Sequence, residues 1–320
     1  MRMISLVITL MLVGVWSAPA AQKKKTAKAP TPTLADVAYG EHPKQVLHFW
    51  KAKSDEPTPL LFFIHGGGWM GGTRMHRQLI QMLPALRQHK ISAVSIEYRW
   101  IKDVYGKGVE PPVKAPLHDA ARALQFVRSK AKEWNIDPDR IAACGGSAGA
   151  CSSLWLNFHD DLADPASKDP VARESTRLLG AAVLGAQTTL DPKQMKEWTP
   201  NSRYGSHAFG IFKLTQRNQW AQDFETFLKK RDEIMDWINE YSPYANVSKE
   251  DPPVYLYYGA PPAMGKDQKD PTHTANFGVG LRKRMREAGV ECTLNHPGTI
   301  RKLEHKTAES WLIGRLTRGL

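Results

Sequence analysis

Short apolar runs recur along the chain, separated by stretches with helical spacing or by polar loops. The run at 60–64, Leu-Leu-Phe-Phe-Ile, is continuous, a pattern typical of a strand buried on both faces. Comparable runs predict further strands at residues 46–50, 91–96, 141–144, 179–184, 253–258 and 290–294.

Segments with helical spacing lie between these runs. In the clearest, 117–134, the residues Leu117, Leu124 and Val127 fall on one apolar stripe. Further helices are predicted at residues 73–89, 151–159, 277–288 and 307–316. Strands that alternate with helices imply an α/β fold, with a mostly parallel central sheet covered by helices on both faces. We expect one such domain over residues 46–320.

The alternation of strands and helices stops between about 187 and 244. This stretch is rich in aromatic residues, and helical signals dominate its second half. We expect it to be an insertion into the domain. Its aromatic side chains form either a small core of their own or a surface that stacks on a ligand.

The first residues have the pattern of an export signal. Arg2 supplies a positive charge, residues 4–15 are apolar, and Ala18-Pro19-Ala20 resembles a cleavage site. The apolar run is too short for a comfortable membrane span. We therefore expect a signal peptide at 1–20, no stable membrane span after its removal, and a periplasmic or secreted protein. A basic, Pro-rich linker is expected at 21–45.

Composition and charge narrow the function classes. The chain is 42% hydrophobic and 24% charged, as in ordinary globular proteins, and its net charge is +12. Part of that charge lies in the linker, and the remaining basic residues are mixed with acids, which argues against nucleic-acid binding. The three cysteines predict buried free thiols, although a bridge between Cys144 and Cys151 stays open.

A serine in a tight glycine turn provides the first candidate chemistry. The motif Gly145-Gly146-Ser147-Ala148-Gly149 follows a predicted strand and precedes a predicted helix. That context is typical of the nucleophile elbow, in which a strained turn exposes a serine hydroxyl. The helix that follows directs unsatisfied N–H groups at the atom that the hydroxyl attacks. Ser147 is therefore the candidate nucleophile.

A second glycine loop, His65-Gly66-Gly67-Gly68-Trp69-Met70-Gly71-Gly72, has two interpretations. It fits the Gly-x-Gly-x-x-Gly pattern of dinucleotide sites, but bulky residues occupy positions 69 and 70 and the helix begins after the motif. The second interpretation is an oxyanion hole, because glycines let backbone N–H groups turn toward a developing negative charge. We favour donors at Gly67, Gly68 and Ala148, with His65 bracing the loop.

Together the two glycine motifs resemble the α/β-hydrolase family. The chain is most similar there to carboxylesterases related to hormone-sensitive lipase and to bacterial feruloyl and acetyl-xylan esterases. Glu97-Tyr98-Arg99, Asp119 and Ser242-Pro243 also resemble that group. The resemblance implies an α/β-hydrolase fold over about 46–320, in which the insertion at 187–244 is lid-like. It also implies a Ser-His-Asp triad in the order serine, acid, histidine.

The resemblance places the acid after strand 253–258 and the histidine after the last strand. Asp270, in Asp270-Pro271-Thr272-His273, is the favoured acid, and Asp267 is the second candidate because residues 260–269 form an extra stretch. The candidate histidines are His273, His296 and His305. We favour His305, which precedes the terminal helix. The remaining histidines, including His118 and His207, are expected to be structural or at the surface.

These residues predict an exported serine hydrolase that cleaves carboxylic esters through an acyl-enzyme. The resemblance suggests a small ester or an acylated carbohydrate as substrate, with acetyl or feruloyl groups on a polysaccharide. A serine exopeptidase and an inactive binding protein of the same fold are the competing hypotheses. Metal-ligand and phosphate-loop motifs are not found in the sequence, so no cofactor or metal is expected. The oligomeric state is left open.

Overall fold

An eight-stranded sheet organises the part of the chain that the computed structural model describes, residues 29–212, 220–300 and 302–318. Its strand order is β1-β2-β4-β3-β5-β6-β7-β8. The strands are β1 (Leu34–Ala38), β2 (Val46–Trp50), β3 (Thr58–Ile64), β4 (Ser92–Ile96), β5 (Ile136–Gly146), β6 (Ala181–Leu184), β7 (Val254–Tyr257) and β8 (Cys292–Asn295). The expected signal peptide, 1–20, lies outside the described residues.

The helices alternate with the strands, as the sequence pattern predicts. They are α1 (Arg77–Gln88), α2 (Ile101–Val104), α3 (Lys114–Ser129), α4 (Ala131–Trp134), α5 (Ala148–Phe158), α6 (Pro192–Trp198), α7 (Trp220–Lys229), α8 (Met235–Tyr241), α9 (Asn276–Glu287) and α10 (Ala308–Thr317). None of the helices in the described ranges has the length and apolarity needed to cross a bilayer.

Most of the sheet is parallel. From β4 through β8 every neighbouring pair runs parallel, whereas β1 with β2 and β2 with β4 are antiparallel. One apolar cluster joins one face of the sheet to α3, α5 and α9, and a second joins the other face to α1 and α10. All seven residues of β3 are buried, because helices cover both faces. The expected mostly parallel sheet with helices on both faces is thus confirmed.

The beginning of the domain differs from the prediction. The linker was expected to continue to residue 45, but Leu34–Ala38 forms a strand that pairs with β2. Tyr39, which follows it, is buried and donates a hydrogen bond to the Glu97 carbonyl, 2.5 Å away. The segment has no continuous apolar run, so only its pairing with an existing sheet edge identifies it as a strand.

The insertion at about 187–244 is helical where it is described. It contains α6, α7, α8 and two short 3-10 helices, at Ser206–Phe209 and Arg231–Ile234. Phe209 and Phe227 lie in contact and are buried, with ring centroids 5.4 Å apart. Some of the aromatic residues therefore form the insertion's own core, one of the two expected roles.

Candidate active site

Ser147 lies in the sharp turn between the central strand β5 and α5. Its backbone angles, φ 53° and ψ −123°, place it in a strained region that a non-glycine residue rarely adopts. Its N–H donates to the Leu184 carbonyl at the end of β6, 2.9 Å away. The turn is thus held in place by the neighbouring strand, as expected of a nucleophile elbow.

Two glycines make this turn sterically possible. A Cβ atom on Gly149 would lie 2.1 Å from the Ile64 carbonyl oxygen, and one on Gly145 would lie 2.5 Å from the Gly149 oxygen. Both opposing atoms belong to backbone that the sheet and helix hold in place. The start of α5 can therefore approach the end of β3 only because these side chains are absent.

His273 is the histidine that the structure brings to Ser147. Its Nε2 lies 2.9 Å from Ser147 Oγ, and its Nδ1 lies 2.8 Å from Asp270 Oδ2. A carboxylate only accepts hydrogen bonds, so Nδ1 carries the proton and Nε2 is left to accept the serine O–H. Serine, imidazole and carboxylate are therefore connected in the order that nucleophilic catalysis requires.

A single turn supplies both the carboxylate and the imidazole. Asp270 Oδ1 accepts hydrogen bonds from the N–H groups of Thr272, at 3.1 Å, and His273, at 3.2 Å. Its second oxygen stays free to hold the imidazole. Partial burial raises the pKa of Asp270, but its hydrogen bonds with His273 and with these backbone groups outweigh burial and hold that pKa below its usual value. Asp270 therefore stays ionised above the ordinary aspartate range.

The structure does not place His305 at Ser147, which corrects the expectation that it meets the serine. The His305 ring lies beside Gly314 of α10, and its Nε2 is 3.4 Å from Glu304. With β8 and α10 it lines a separate cleft of about 220 Å³. Ser147 does not line that cleft.

His296 and Asp267, the remaining candidates for base and acid, make local contacts of their own. His296 Nδ1 contacts the Pro297 carbonyl, 2.9 Å away, in the turn after β8. The Asp267 carbonyl accepts a hydrogen bond from Gln268 Nε2. The sequence contained a signal for His273, because an aspartate three residues before a histidine can cap a turn and hold the imidazole at once.

His65 braces the second glycine loop, as expected. It is fully buried, with Nε2 2.7 Å from Glu97 Oε1 and Nδ1 2.7 Å from the Gly66 carbonyl. Its ring stacks on Tyr98, with centroids 4.4 Å apart. Burial raises the pKa of Glu97, but the hydrogen bonds from His65 and Arg74 outweigh it and lower that pKa overall. The contact between His65 and Glu97 under the loop holds its backbone in place.

The glycine loop ends before α1 begins, at Arg77. A dinucleotide site would need the glycines to open the helix. Gly67 and Gly68 instead have φ values of 114° and 63°, which only glycine adopts readily. Ala148 is the first residue of α5, so its N–H has no acceptor within the helix. The dinucleotide interpretation is therefore not supported, and the oxyanion hole stays a prediction.

The insertion touches this loop through His207. Its Nε2 lies 3.0 Å from the Gly68 carbonyl, which fixes the direction of that peptide group. Burial lowers the pKa of His207 to about 4, although the hydrogen bond to Gly68 opposes the shift. His207 is therefore neutral at pH 7 and carries its proton on Nε2. Its position along the chain predicted only a structural or surface role.

Acid should destabilise the fold through His207 and His118. Burial lowers the pKa of His118 to about 4 as well. Between the unfolded value of about 6.5 and about pH 4, the unfolded chain binds protons that the folded protein excludes. The free energy of unfolding should thus fall with decreasing pH across that window, by at most about 3 kcal/mol per histidine. Urea denaturation at several pH values measures this.

A pair of variants isolates the contribution of one histidine. His118→Phe keeps a ring among the neighbouring aromatic side chains of Trp155 and Tyr241 but has no proton to bind. It should flatten the pH dependence, whereas the same change at the exposed His89 should leave it as in the wild type. An unchanged slope in His118→Phe would contradict the assignment.

Besides the residues of the Ser147 site, the chain has three cysteines and potential metal ligands. Cys144 and Cys151 are free and buried, and Cys292 is free and half-buried, so the Cys144–Cys151 bridge is not formed. Across residues 29–212, 220–300 and 302–318, no group of three or more His, Cys, Asp or Glu side chains is arranged to hold a metal ion.

Comparison with known sequences gives one family and several relatives. The family model described as BD-FAE matches residues 48–267, which includes Gly67, Gly68 and Ser147 but stops before Asp270. A versiconal hemiacetal acetate esterase from Dothistroma septosporum is 28% identical over 170 residues, 52% of this chain and 47% of that protein. Carboxylesterase NlhH from Mycobacterium tuberculosis is 34% identical over 123 residues, 37% of this chain and 34% of that protein. The chain thus spans less than half of either relative.

Solved structures share the architecture. A truncated carbohydrate esterase from gut microbiota superposes with a TM-score of 0.63 at 17% identity, covering 92% of this chain and 100% of that one. An acetyl ester-xyloside bifunctional hydrolase from Caldicellulosiruptor lactoaceticus has a TM-score of 0.56 at 22% identity, covering 78% and 77%. At these identities the likeness shows a shared fold and nothing more.

Proposed function

Because the chain belongs to the BD-FAE family and has the α/β-hydrolase fold that its sequence implied, we propose that it is a serine hydrolase of carboxylic esters. The observation that carries the proposal is the 2.9 Å contact between Ser147 Oγ and His273 Nε2, with Asp270 behind the imidazole. The names of the relatives, an acetate esterase and a carboxylesterase, support the same reaction class.

In this mechanism Ser147 Oγ attacks the ester carbonyl while His273 Nε2 takes the hydroxyl proton. Asp270 keeps the proton on Nδ1 and stabilises the imidazolium that forms. The tetrahedral intermediate then collapses, the bond to the alcohol oxygen breaks, and His273 returns the proton to that oxygen. A water molecule attacks the acyl-enzyme by the same route and releases the acid and free Ser147.

The oxyanion of the intermediate is assigned to the N–H groups of Gly67, Gly68 and Ala148. Each N–H group that donates to such a charge stabilises the transition state by roughly 3 kcal/mol. The left-handed angles of the two glycines and the position of Ala148 at the start of α5 support this role. His207, through the Gly68 carbonyl, would keep the loop oriented.

The substrate proposed is an acylated carbohydrate with acetyl or feruloyl groups. The substrate class is suggested by the names of two proteins that share the fold, a carbohydrate esterase and an acetyl ester-xyloside bifunctional hydrolase, although the likeness itself shows only the fold. Solvent access at the acid and base agrees with a polymeric alcohol, since the side chains of His273 and Asp270 are 40% and 61% exposed. Export by the signal at 1–20 would bring the protein to such polymers, and N-terminal sequencing of the mature protein tests it.

Covalent labelling tests the reaction class. The wild type should hydrolyse p-nitrophenyl acetate and take up one fluorophosphonate per chain on the peptide that contains Ser147. Ser147→Ala should do neither, while its circular dichroism spectrum is unchanged. Turnover that persists in Ser147→Ala would sink the proposal. Faster cleavage of dipeptide amides than of acetylated xylan would favour an exopeptidase. A wild-type protein that does not react with the fluorophosphonate would favour an inactive binding protein.

A further inference from the structure

The turn that follows β6 contacts both the nucleophile and the base. The Leu184 carbonyl accepts the Ser147 N–H at 2.9 Å. Next to it, the α-carbon of Gly185 faces the His273 side chain so closely that a Cβ there would lie 3.4 Å from both Cβ and the ring carbon Cδ2 of His273. This short segment thus stands between two groups that are far apart in the chain.

Gln187 extends the same turn toward the loop that carries the base. Its Nε2 donates to the Thr272 carbonyl at 2.6 Å and to the Gly185 carbonyl at 3.2 Å. Both acceptors are carbonyl oxygens, so the contacts identify the nitrogen end of the amide. The peptide that leads into His273 is therefore tied by one side chain to the end of β6.

The turn itself is well anchored. Gly185 N–H donates to the Tyr257 carbonyl at 2.8 Å, and the Ala186 carbonyl accepts the buried Tyr258 hydroxyl at 2.9 Å. Thr188 Oγ1 donates to the Phe277 carbonyl at 2.8 Å. Because these hydrogen bonds hold the turn in place, the bond from Gln187 to the Thr272 carbonyl restricts the position of the loop that carries His273.

We propose that Gln187 is a positioning residue, which sets the His273 imidazole against Ser147 through the Thr272 carbonyl. The inference rests on the proposed function, since it concerns the same base. The side chains of Asp270 and His273 are 61% and 40% exposed, and Asp270 makes its hydrogen bonds within the turn. The bond from Gln187 to the Thr272 carbonyl links this turn to the end of β6.

The burial of Gln187 agrees with this role. Gln187 is fully buried, yet its Oε1 has no hydrogen-bond partner among the described residues. An apolar side chain of similar size would bury no orphan acceptor. What the amide adds at this position is the pair of bonds that its nitrogen donates.

The test compares Gln187→Met with a matched control, Gln125→Met. Gln125 is another buried amide whose Nε2 donates to loop carbonyls, those of Leu162, Ala172 and Glu174, away from Ser147. Gln187→Met should lower kcat for p-nitrophenyl acetate about 10- to 100-fold with KM within about twofold, because small misplacements of a catalytic group cost that much. The rate of fluorophosphonate labelling should fall by the same factor.

Gln125→Met should lower the melting temperature yet leave kcat and the labelling rate as in the wild type. If Gln187→Met does not fold, Gln187→Asn keeps a polar amide that is too short to reach Thr272. A wild-type kcat in a folded Gln187 variant, alongside an inactive Ser147→Ala, would overturn the positioning role alone. Activity retained in Ser147→Ala would overturn the proposed function instead.

Discussion

His273→Ala is expected to lower kcat/KM for p-nitrophenyl acetate about 10⁴-fold, because without the imidazole no group takes the Ser147 proton. His305→Ala should leave kcat/KM within about twofold, since His305 lies beside Gly314 in a cleft that Ser147 does not line. Initial rates at substrate concentrations below KM measure both. Each variant removes one imidazole from a loop, so the pair is closely matched.

The opposite result would have a clear meaning. If His305→Ala were inactive and His273→Ala retained turnover, the loop after β8 would have to reach the serine in the working enzyme. Melting temperatures of the two variants separate this outcome from simple unfolding. His296→Ala serves as a second control on the same loop, since the Nδ1 of His296 contacts the Pro297 carbonyl there.

Gly149→Ala is expected to lower the free energy of unfolding by about 3–5 kcal/mol, or to prevent folding. The new Cβ would lie 2.1 Å from the Ile64 oxygen and 2.6 Å from the His65 oxygen. These oxygen atoms belong to the backbone at the buried end of β3 and at the start of the glycine loop, so neither can move away without disturbing the sheet or the loop. Urea denaturation of the purified variant, or its yield of soluble protein, measures the effect.

Gly259→Ala is the matched control for Gly149→Ala. It follows β7, and a Cβ there meets nothing within 4 Å. Its stability should therefore lie within about 0.5 kcal/mol of the wild type. If Gly149→Ala were equally mild, the tight packing of α5 on β3, and with it the elbow geometry, would be wrong.

The proposed acid and base are only three residues apart in the chain. Asp270 and His273, the proposed acid and base, lie on one turn after β7, so the proposed mechanism needs no base from the segment after β8. In that segment, Thr299 and His305 line a separate cleft with Cys292. The spatial order of serine, imidazole and carboxylate is kept although the acid and the histidine are only three residues apart.

Much of the fold follows from local patterns. The continuous apolar run at Leu60–Ile64 and the striped helix at 117–134 correspond to β3 and α3 within a few residues. Ser147 was identifiable as the candidate nucleophile because strand, glycine turn and helix are adjacent in sequence. Asp270 was predicted from the family resemblance, with Asp267 as the second candidate, and the structure shows that it also caps a turn formed with its next three residues.

Other features depend on contacts between residues that are far apart in the chain. β1 exists because an edge of the sheet accepts it, and His207 and Gln187 reach the site from an insertion whose path no periodicity specifies. His273, His296 and His305 were all plausible bases by position along the chain. Only the packed sheet selects among them, because a hydrogen bond to Ser147 across 126 positions requires the ends of β5, β6 and β7 to meet. Local sequence was therefore enough to predict the candidate nucleophile and its turn, whereas its histidine partner depends on how the strands pack together.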